Sequence, residues 1–152
     1  MEWQFQADDA RTALSVRREF LTFLRESCTS ASDCEAALLV FGELVTNVIL
    51  HAPGPIEITV QSDARGAVTL DVCDGGAGFR IAPSLPPVSG ESGGRGLYIA
   101  SRLCSSLAST RIEGGNKVSA VLPVTANQSQ LHLVRNKLDG ATPFDERDRN
   151  AR

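Results

Sequence analysis

The sequence predicts an α/β (α+β) two-layer sandwich, a mixed, mostly antiparallel sheet with helices on one face. Three observations predict it. Two long segments, about 8–25 and 32–51, carry apolar residues at helical spacing. Short segments at 2–7, 56–60, 68–72, 107–112 and 118–124 carry the alternation or apolar runs of strands. Four of those segments pair up around short polar turns, Asp63-Ala-Arg-Gly66 and Glu113-Gly-Gly-Asn116, which implies antiparallel hairpins.

In chain order, residues 2–7 alternate polar and apolar, with Trp3 and Phe5 on one face. Asp8 or Asp9 then caps a helix through Arg25, with Leu14, Phe20, Leu21 and Leu24 as its apolar side. Ser32 caps the next helix, with Glu35 at the capping-box offset. Leu39, Val40, Leu44, Val48 and Ile49 form its apolar stripe, and Pro53-Gly-Pro55 ends it near His51. Ile56, Ile58 and Val60 alternate with Glu57, Thr59 and Gln61, so this strand buries one face. Residues 80–92, with three prolines and no periodicity, read as a mobile loop. A helix of about 97–106 follows, with Leu97, Ile99, Ala100, Leu103 and Leu107 inward. After Pro123 the composition turns polar, and only 130–138 has the pattern of an amphipathic turn or two. The chain therefore divides into one domain over 1–124 and a polar tail over 125–152.

Composition narrows the function classes. At 152 residues the chain suits a single sizeable core, and 42% apolar with 22% charged residues is a globular balance. A net charge of −3 gives no general affinity for nucleic acid or an anionic membrane. The apolar runs fall short of the roughly 20 residues of a membrane span, and the Met1-Glu-Trp-Gln-Phe start has neither the basic head nor the apolar core of a signal peptide. The expectation is a cytoplasmic protein. Cys28, Cys34, Cys73 and Cys104 have no metal-ligand spacing and read as reduced, buried small hydrophobes.

The chemistry concentrates in Glu43-Leu-Val-Thr-Asn47-Val-Ile-Leu-His51-Ala52. Glu43, Asn47 and His51 stand four apart and share one helical face, where polar groups on a largely buried helix need partners. The Asn47 carboxamide oxygen suits Mg²⁺, a hard ion often held by few protein groups plus substrate phosphates. Glu43, one turn earlier, would lie near a terminal phosphate and can act as general base. Taken singly, Glu43 reads more readily as an exposed residue and Asn47 as a loop-bonding one; the glycine turns downstream reverse that preference. Asp74 closes an apolar strand and can accept from an exocyclic amino group, while Gly76 and Gly78 let backbone approach a planar base; an ordinary Asp-Gly turn has the same letters. Gly93-Gly-Arg-Gly96 precedes a helix, where free N–H groups cradle phosphate and Arg95 can reach one; a plain tight turn reads the same way. Lys117 falls on a turn and faces solvent. His51 is a cap or loop contact rather than a catalyst, since no nucleophile setting accompanies it.

The order Glu-x-x-x-Asn on a helix, Asp-x-Gly-x-Gly, then Gly-x-Gly opening a helix resembles the ATP-binding fold shared by DNA gyrase, the heat-shock chaperone ATPase, MutL and histidine kinases, the GHKL superfamily with its Bergerat-type fold. Glu43-Leu-Val-Thr-Asn47-Val-Ile-Leu-His51-Ala52 and Gly93-Gly-Arg-Gly-Leu97 look most like the bacterial anti-sigma factor serine kinases. The resemblance covers about residues 3–124. It implies Asn47 for Mg²⁺, Glu43 as general base and Asp74 for the adenine amino group. It also implies Gly76 and Gly78 in the adenine pocket, Gly94, Arg95, Gly96 and Leu97 at the phosphate loop, and 80–92 as a lid over ATP. It implies a serine/threonine kinase acting on an anti-sigma factor antagonist (STAS-type), a sigma factor as a competing partner, and common homodimerisation. The rivals are a partner-sequestering regulator with ATP structural or absent, and a stand-alone ATPase. One departure concerns the base pocket. Many relatives carry a threonine after the late glycine, where this chain has Asn116 and Lys117 after Gly115.

Overall fold

The computed structural model describes residues 1–52, 54–76, 78 and 95–127. The element order is β1 (Glu2–Gln6), α1 (Ala10–Ser27), α2 (Cys34–His51), β2 (Pro55–Ser62), β3 (Ala67–Asp74), α3 (Arg95–Leu103), β4 (Ser106–Ile112) and β5 (Gly115–Thr125). The strands form one sheet in the order β1-β2-β3-β5-β4. Every pairing among them is antiparallel, so the mixed component expected from sequence is absent from the described strands. Gly94, the loop at 80–92 and the segment 130–138 lie outside the described residues.

The helices start where a carboxylate can take an orphan N–H. Asp9 Oδ1 accepts from Thr12 N at 3.0 Å and Oδ2 from the Thr12 hydroxyl at 2.6 Å. Those two hydrogen bonds, the hydroxyl's first, hold the exposed Asp9 carboxyl below its ordinary pKa. The second cap is Asp33 rather than Ser32: Asp33 Oδ1 accepts from Ala36 N at 2.9 Å. Ser32 is engaged elsewhere, because its Oγ accepts from Thr125 N at 2.9 Å.

Buried faces follow the backbone periods. On the sheet, Ile56, Ile58 and Val60 of β2, Val68, Leu70 and Val72 of β3, and Val118, Ala120, Leu122 and Val124 of β5 all turn inward. Over them lie Val16, Phe20, Phe23 and Leu24 of α1 and Ala37, Val40, Phe41, Leu44, Val45 and Val48 of α2. Phe20 stacks on Phe41 with ring centroids 4.6 Å apart, a contact worth about 0.5–1.5 kcal/mol beyond the area it buries. Leu14 and Leu39 are exposed, at 58% and 45%. Both had been assigned to apolar faces, but the faces toward the sheet centre on Phe20 and on Leu44. With 18 residues and mean hydropathy 1.5, α2 is long and apolar enough to cross a membrane. Here it is the central core helix, packed on β3, β5, α1 and α3.

Two boundaries differ from the sequence expectation and both affect the site. Helix α3 ends at Leu103, and Ser106 already opens β4, so Leu107 belongs to a strand. The last hairpin turns on Glu113 and Gly114 alone, with Ile112 paired to Gly115 and Gly114 at φ +76°. Asn116 is thereby a strand residue. Lys117 is also in β5, where its Nζ lies 3.2 Å from Asp71 Oδ2. Beyond β5, Ala126 is buried and bridges Cys28, and Asn127 N donates to Ser27 O at 2.6 Å. All four cysteines are free and half-buried, less enclosed than their expected role in the core.

Candidate functional site

Helix α2 lays out the site along its length. Its C-terminal end is closed by Ala52, whose N–H donates to Val48 O at 2.8 Å. At 1.5 Å per residue, Asn47 stands about 7–8 Å and Glu43 about 13–14 Å back along the axis from Ala52. Glu43 and Asn47 are both half-buried, one turn apart, and neither hydrogen-bonds a described residue. His51, the last residue of α2, is exposed and makes no such bond either, so the expected side-chain cap is replaced by the backbone bond of Ala52.

At the Ala52 end, the first glycine turn leaves β3. Asp74 is 8% exposed, and its Oδ1 accepts from Gly76 N at 2.7 Å. A Cβ at Gly76 would come within 3.1 Å of the Ala52 Cβ, so this turn is seated directly on the end of α2. Gly78 has φ +77°, and a Cβ on it would approach Asn116 Oδ1 to 3.0 Å. A Cβ at Gly115 would strike the Asp74 carbonyl. Asp74, Gly76, Gly78, Gly115 and Asn116 thus form one wall, with side chains removed where backbones meet.

Asn116 faces Asp74 across the β3–β5 ladder and is 2% exposed. The Ser109 hydroxyl of β4 donates to its Oδ1 at 2.9 Å. Its Nδ2 is buried without a hydrogen-bond partner, an arrangement that costs about 1–3 kcal/mol. Asn116 was placed on a turn by sequence, as a replacement for the usual threonine. The signal that finds it is phase: counting back by two from Val124, Leu122, Ala120 and Val118 reaches Asn116 on the inward face.

At the Glu43 end, α3 begins. Gly96 packs against Glu43, so that any Cβ there would fall on Glu43 Oε2. Arg95 is exposed at the first position of α3, and Leu97 is partly buried against the core. The start of α3, with its positive dipole end, therefore adjoins the Glu43 carboxylate. Of the expected site residues, Glu43 and Gly96 are brought together, as are Asp74 and Gly76, and Gly78 with Asn116. Asn47 lies between the two groups on α2.

A model of the histidine kinase-like ATPase domain family matches residues 5–122. The chain belongs to that family. It is an ATP-binding domain of the GHKL superfamily, and its ligand class is ATP. The catalytic domain of histidine kinase ThkA, in a nucleotide-free form, has a similar fold. It is 16% identical, with a TM-score of 0.50 over 84% of this chain and 99% of that domain. No curated protein matches the sequence.

The residues present fit a nucleotide. The wall of the Asp74 end has a free donor, the Nδ2 of Asn116, and glycine at the points of closest backbone approach. The Glu43 end has two half-buried polar side chains without hydrogen-bond partners among the described residues, beside the start of α3. No cluster of three His, Cys, Asp or Glu stands ready for a metal among the described residues. A Mg²⁺ held by Asn47 and phosphate oxygens requires no such cluster.

Proposed function

We propose that this ATP-binding domain is a serine/threonine protein kinase of the anti-sigma factor type. The observation that carries the reading is the pair Glu43 and Asn47: half-buried, without hydrogen-bond partners among the described residues, one turn apart on α2, with Glu43 against the start of α3 at Gly96. Asp74 at the far end of α2 accepts from the adenine amino group, and the 13–14 Å or so between Ala52 and Glu43 along the helix matches the scale of a nucleoside triphosphate. Asn47 would hold Mg²⁺, and the ion when bound would supply positive charge beside the phosphates.

In this reading the hydroxyl of a serine or threonine on a partner attacks the γ-phosphorus. The new O–P bond forms as the bond to the β-phosphate oxygen breaks, ADP leaves, and the hydroxyl proton passes to Glu43. Arg95 and the N–H groups opening α3 steady the phosphates. The partner is an anti-sigma factor antagonist of STAS type, with a sigma factor competing for the kinase, a cytoplasmic setting and a homodimer as its assembly.

Calorimetry with ATP, with and without Mg²⁺, tests the site directly. Wild type binds Mg-ATP more tightly than ATP alone, and Asn47→Ala abolishes the difference. Equal affinity with and without Mg²⁺ in wild type would remove Asn47 from its assigned role.

A further inference from the structure

We infer that Asn116 reads the base: its free Nδ2 donates to the unprotonated ring nitrogen beside the exocyclic amino group of a 6-aminopurine, so that Asp74 and Asn116 together select adenine against 6-oxopurines. This deepens the nucleotide-site reading and rests on it.

Three observations converge on the assignment. Asn116 is 98% buried, yet its Nδ2 has no partner, and a buried amide donor left unpaired in a folded protein calls for a ligand or a water. The carboxamide is also oriented, because Ser109 Oγ donates to Oδ1 at 2.9 Å and leaves the nitrogen as the unpaired end. Finally, Asn116 is the direct ladder partner of Asp74. Residues so paired carry their Cβ atoms about 4.5–5.5 Å apart on one face of a sheet.

Asp74 supplies an acceptor and Asn116 a donor, side by side. A 6-aminopurine edge offers the complement, an amino donor beside the N1 acceptor. A 6-oxopurine such as inosine offers the reverse, an O6 acceptor beside an N1–H donor, and meets like with like at both positions. Gly78 passes close to this pair without a side chain, since a Cβ there would lie 3.0 Å from Asn116 Oδ1. The amide nitrogen of Asn116 can only donate, so a ring donor at that position would go unmatched.

Equilibrium binding of ATP, ITP and 1-deaza-ATP to the full chain tests the inference, with wild type and Asn116→Leu compared. Wild type prefers ATP over ITP by about 100-fold or more, as two mispaired polar groups require. It also binds 1-deaza-ATP, which lacks only the ring acceptor, about 10-fold more weakly than ATP. Asn116→Leu weakens ATP by a similar factor and does not distinguish ATP from 1-deaza-ATP, and without nucleotide it melts close to wild type, because removing the orphan donor offsets the lost Ser109 bond.

Equal wild-type affinity for ATP and 1-deaza-ATP overturns the inference without any variant. So does an Asn116→Leu protein that loses ATP and ITP equally and melts lower without nucleotide, the pattern of a packing residue. Either result leaves the ATP site standing. A wild type that binds none of the three nucleotides overturns the site reading itself, and this inference with it.

Discussion

The two ends of the site are built differently. The end at Asp74 is made of strands: Asp74 and Asn116 are ladder partners, both nearly inaccessible, and the Asp74 carboxylate is already committed to Gly76 N–H. The end at Glu43 is made of helices: Glu43 and Asn47 are half-buried and make no hydrogen bond to a described residue, and Glu43 lies against the start of α3. Rigid backbone pairing suits recognition, where donors and acceptors must be fixed before the ligand arrives. Unpaired side chains on helices suit chemistry, where a carboxylate must be free to take a proton. Mutations should therefore affect affinity at one end and rate at the other.

The largest effect is expected at the helical end. Glu43→Gln keeps the shape and removes the proposed base, so turnover should fall by about 10²–10⁴-fold, measured as phosphate transferred or released at saturating ATP. ATP affinity should stay within about twofold, because that interaction is used only in the transition state. A partner-sequestering regulator would instead keep partner binding and show no turnover to lose. Unchanged phosphotransfer in Glu43→Gln would place the base elsewhere.

The strand end should answer in the opposite currency. Asp74→Ala removes an acceptor and leaves Gly76 N–H without its 2.7 Å bond. Hydrogen bonds to a charged group are worth about 1.5–3 kcal/mol, so ATP affinity should drop by about 10–100-fold. Turnover at saturation should change far less. If Asp74→Ala instead lowers turnover at saturation as severely as Glu43→Gln, the two ends are not functionally separate.

How much of this was legible in the chain also divides along that line. The helical end was readable because period 3.6 in a long segment is strong and Glu43 and Asn47 stand four apart on it. The hairpin of β2 and β3 was equally clear from Ile56, Ile58 and Val60. Asn116 was not read correctly, since Glu113-Gly-Gly-Asn116 contains enough turn residues for a four-residue loop. Only the register, with Ile112 opposite Gly115, makes it two. Leu14 and Leu39 were misplaced because hydrophobicity alone does not say which of two adjoining helix faces meets the sheet. The cap was one residue off for a tertiary reason: Ser32 is taken by Thr125, far away in sequence. The cap itself gives the next prediction. Asp33→Ala should cost about 1 kcal/mol of stability, whereas Ser32→Ala leaves that cap intact. Because α2 carries Glu43, Asn47 and the seat of Gly76, the loss should appear in thermal unfolding before it appears in ATP affinity.

The smallest expected effect is on alkaline stability, and it bears on how firmly the helical side is seated. Burial pushes the Cys104 thiol, just past the end of α3, up to about 11. Burial, with the neighbouring Cys34 adding to it, does the same for Cys28 between α1 and α2, also to about 11. Their ordinary value is 9.0. A thiol whose folded pKa is raised contributes stability that is fully present below the unfolded value and is lost as pH rises through the folded one. Between about 9 and 11 the unfolded chain ionises these thiols while the folded chain keeps them protonated, so the melting temperature should decline over that interval. Cys28→Ser and Cys104→Ser should each flatten the decline, because a hydroxyl does not titrate there. Both thiols are only half-buried, so water blunts the penalty and the slope will be shallow. Cys73, on β3 beside Asp74, is shifted up as well, first by burial and then by Glu57. If Cys73→Ser flattens the curve as much as Cys104→Ser does, alkaline loosening reaches the strand-built wall as readily as α3. Then the firmness of the Asp74 end comes from its hydrogen bonds rather than from exclusion of water.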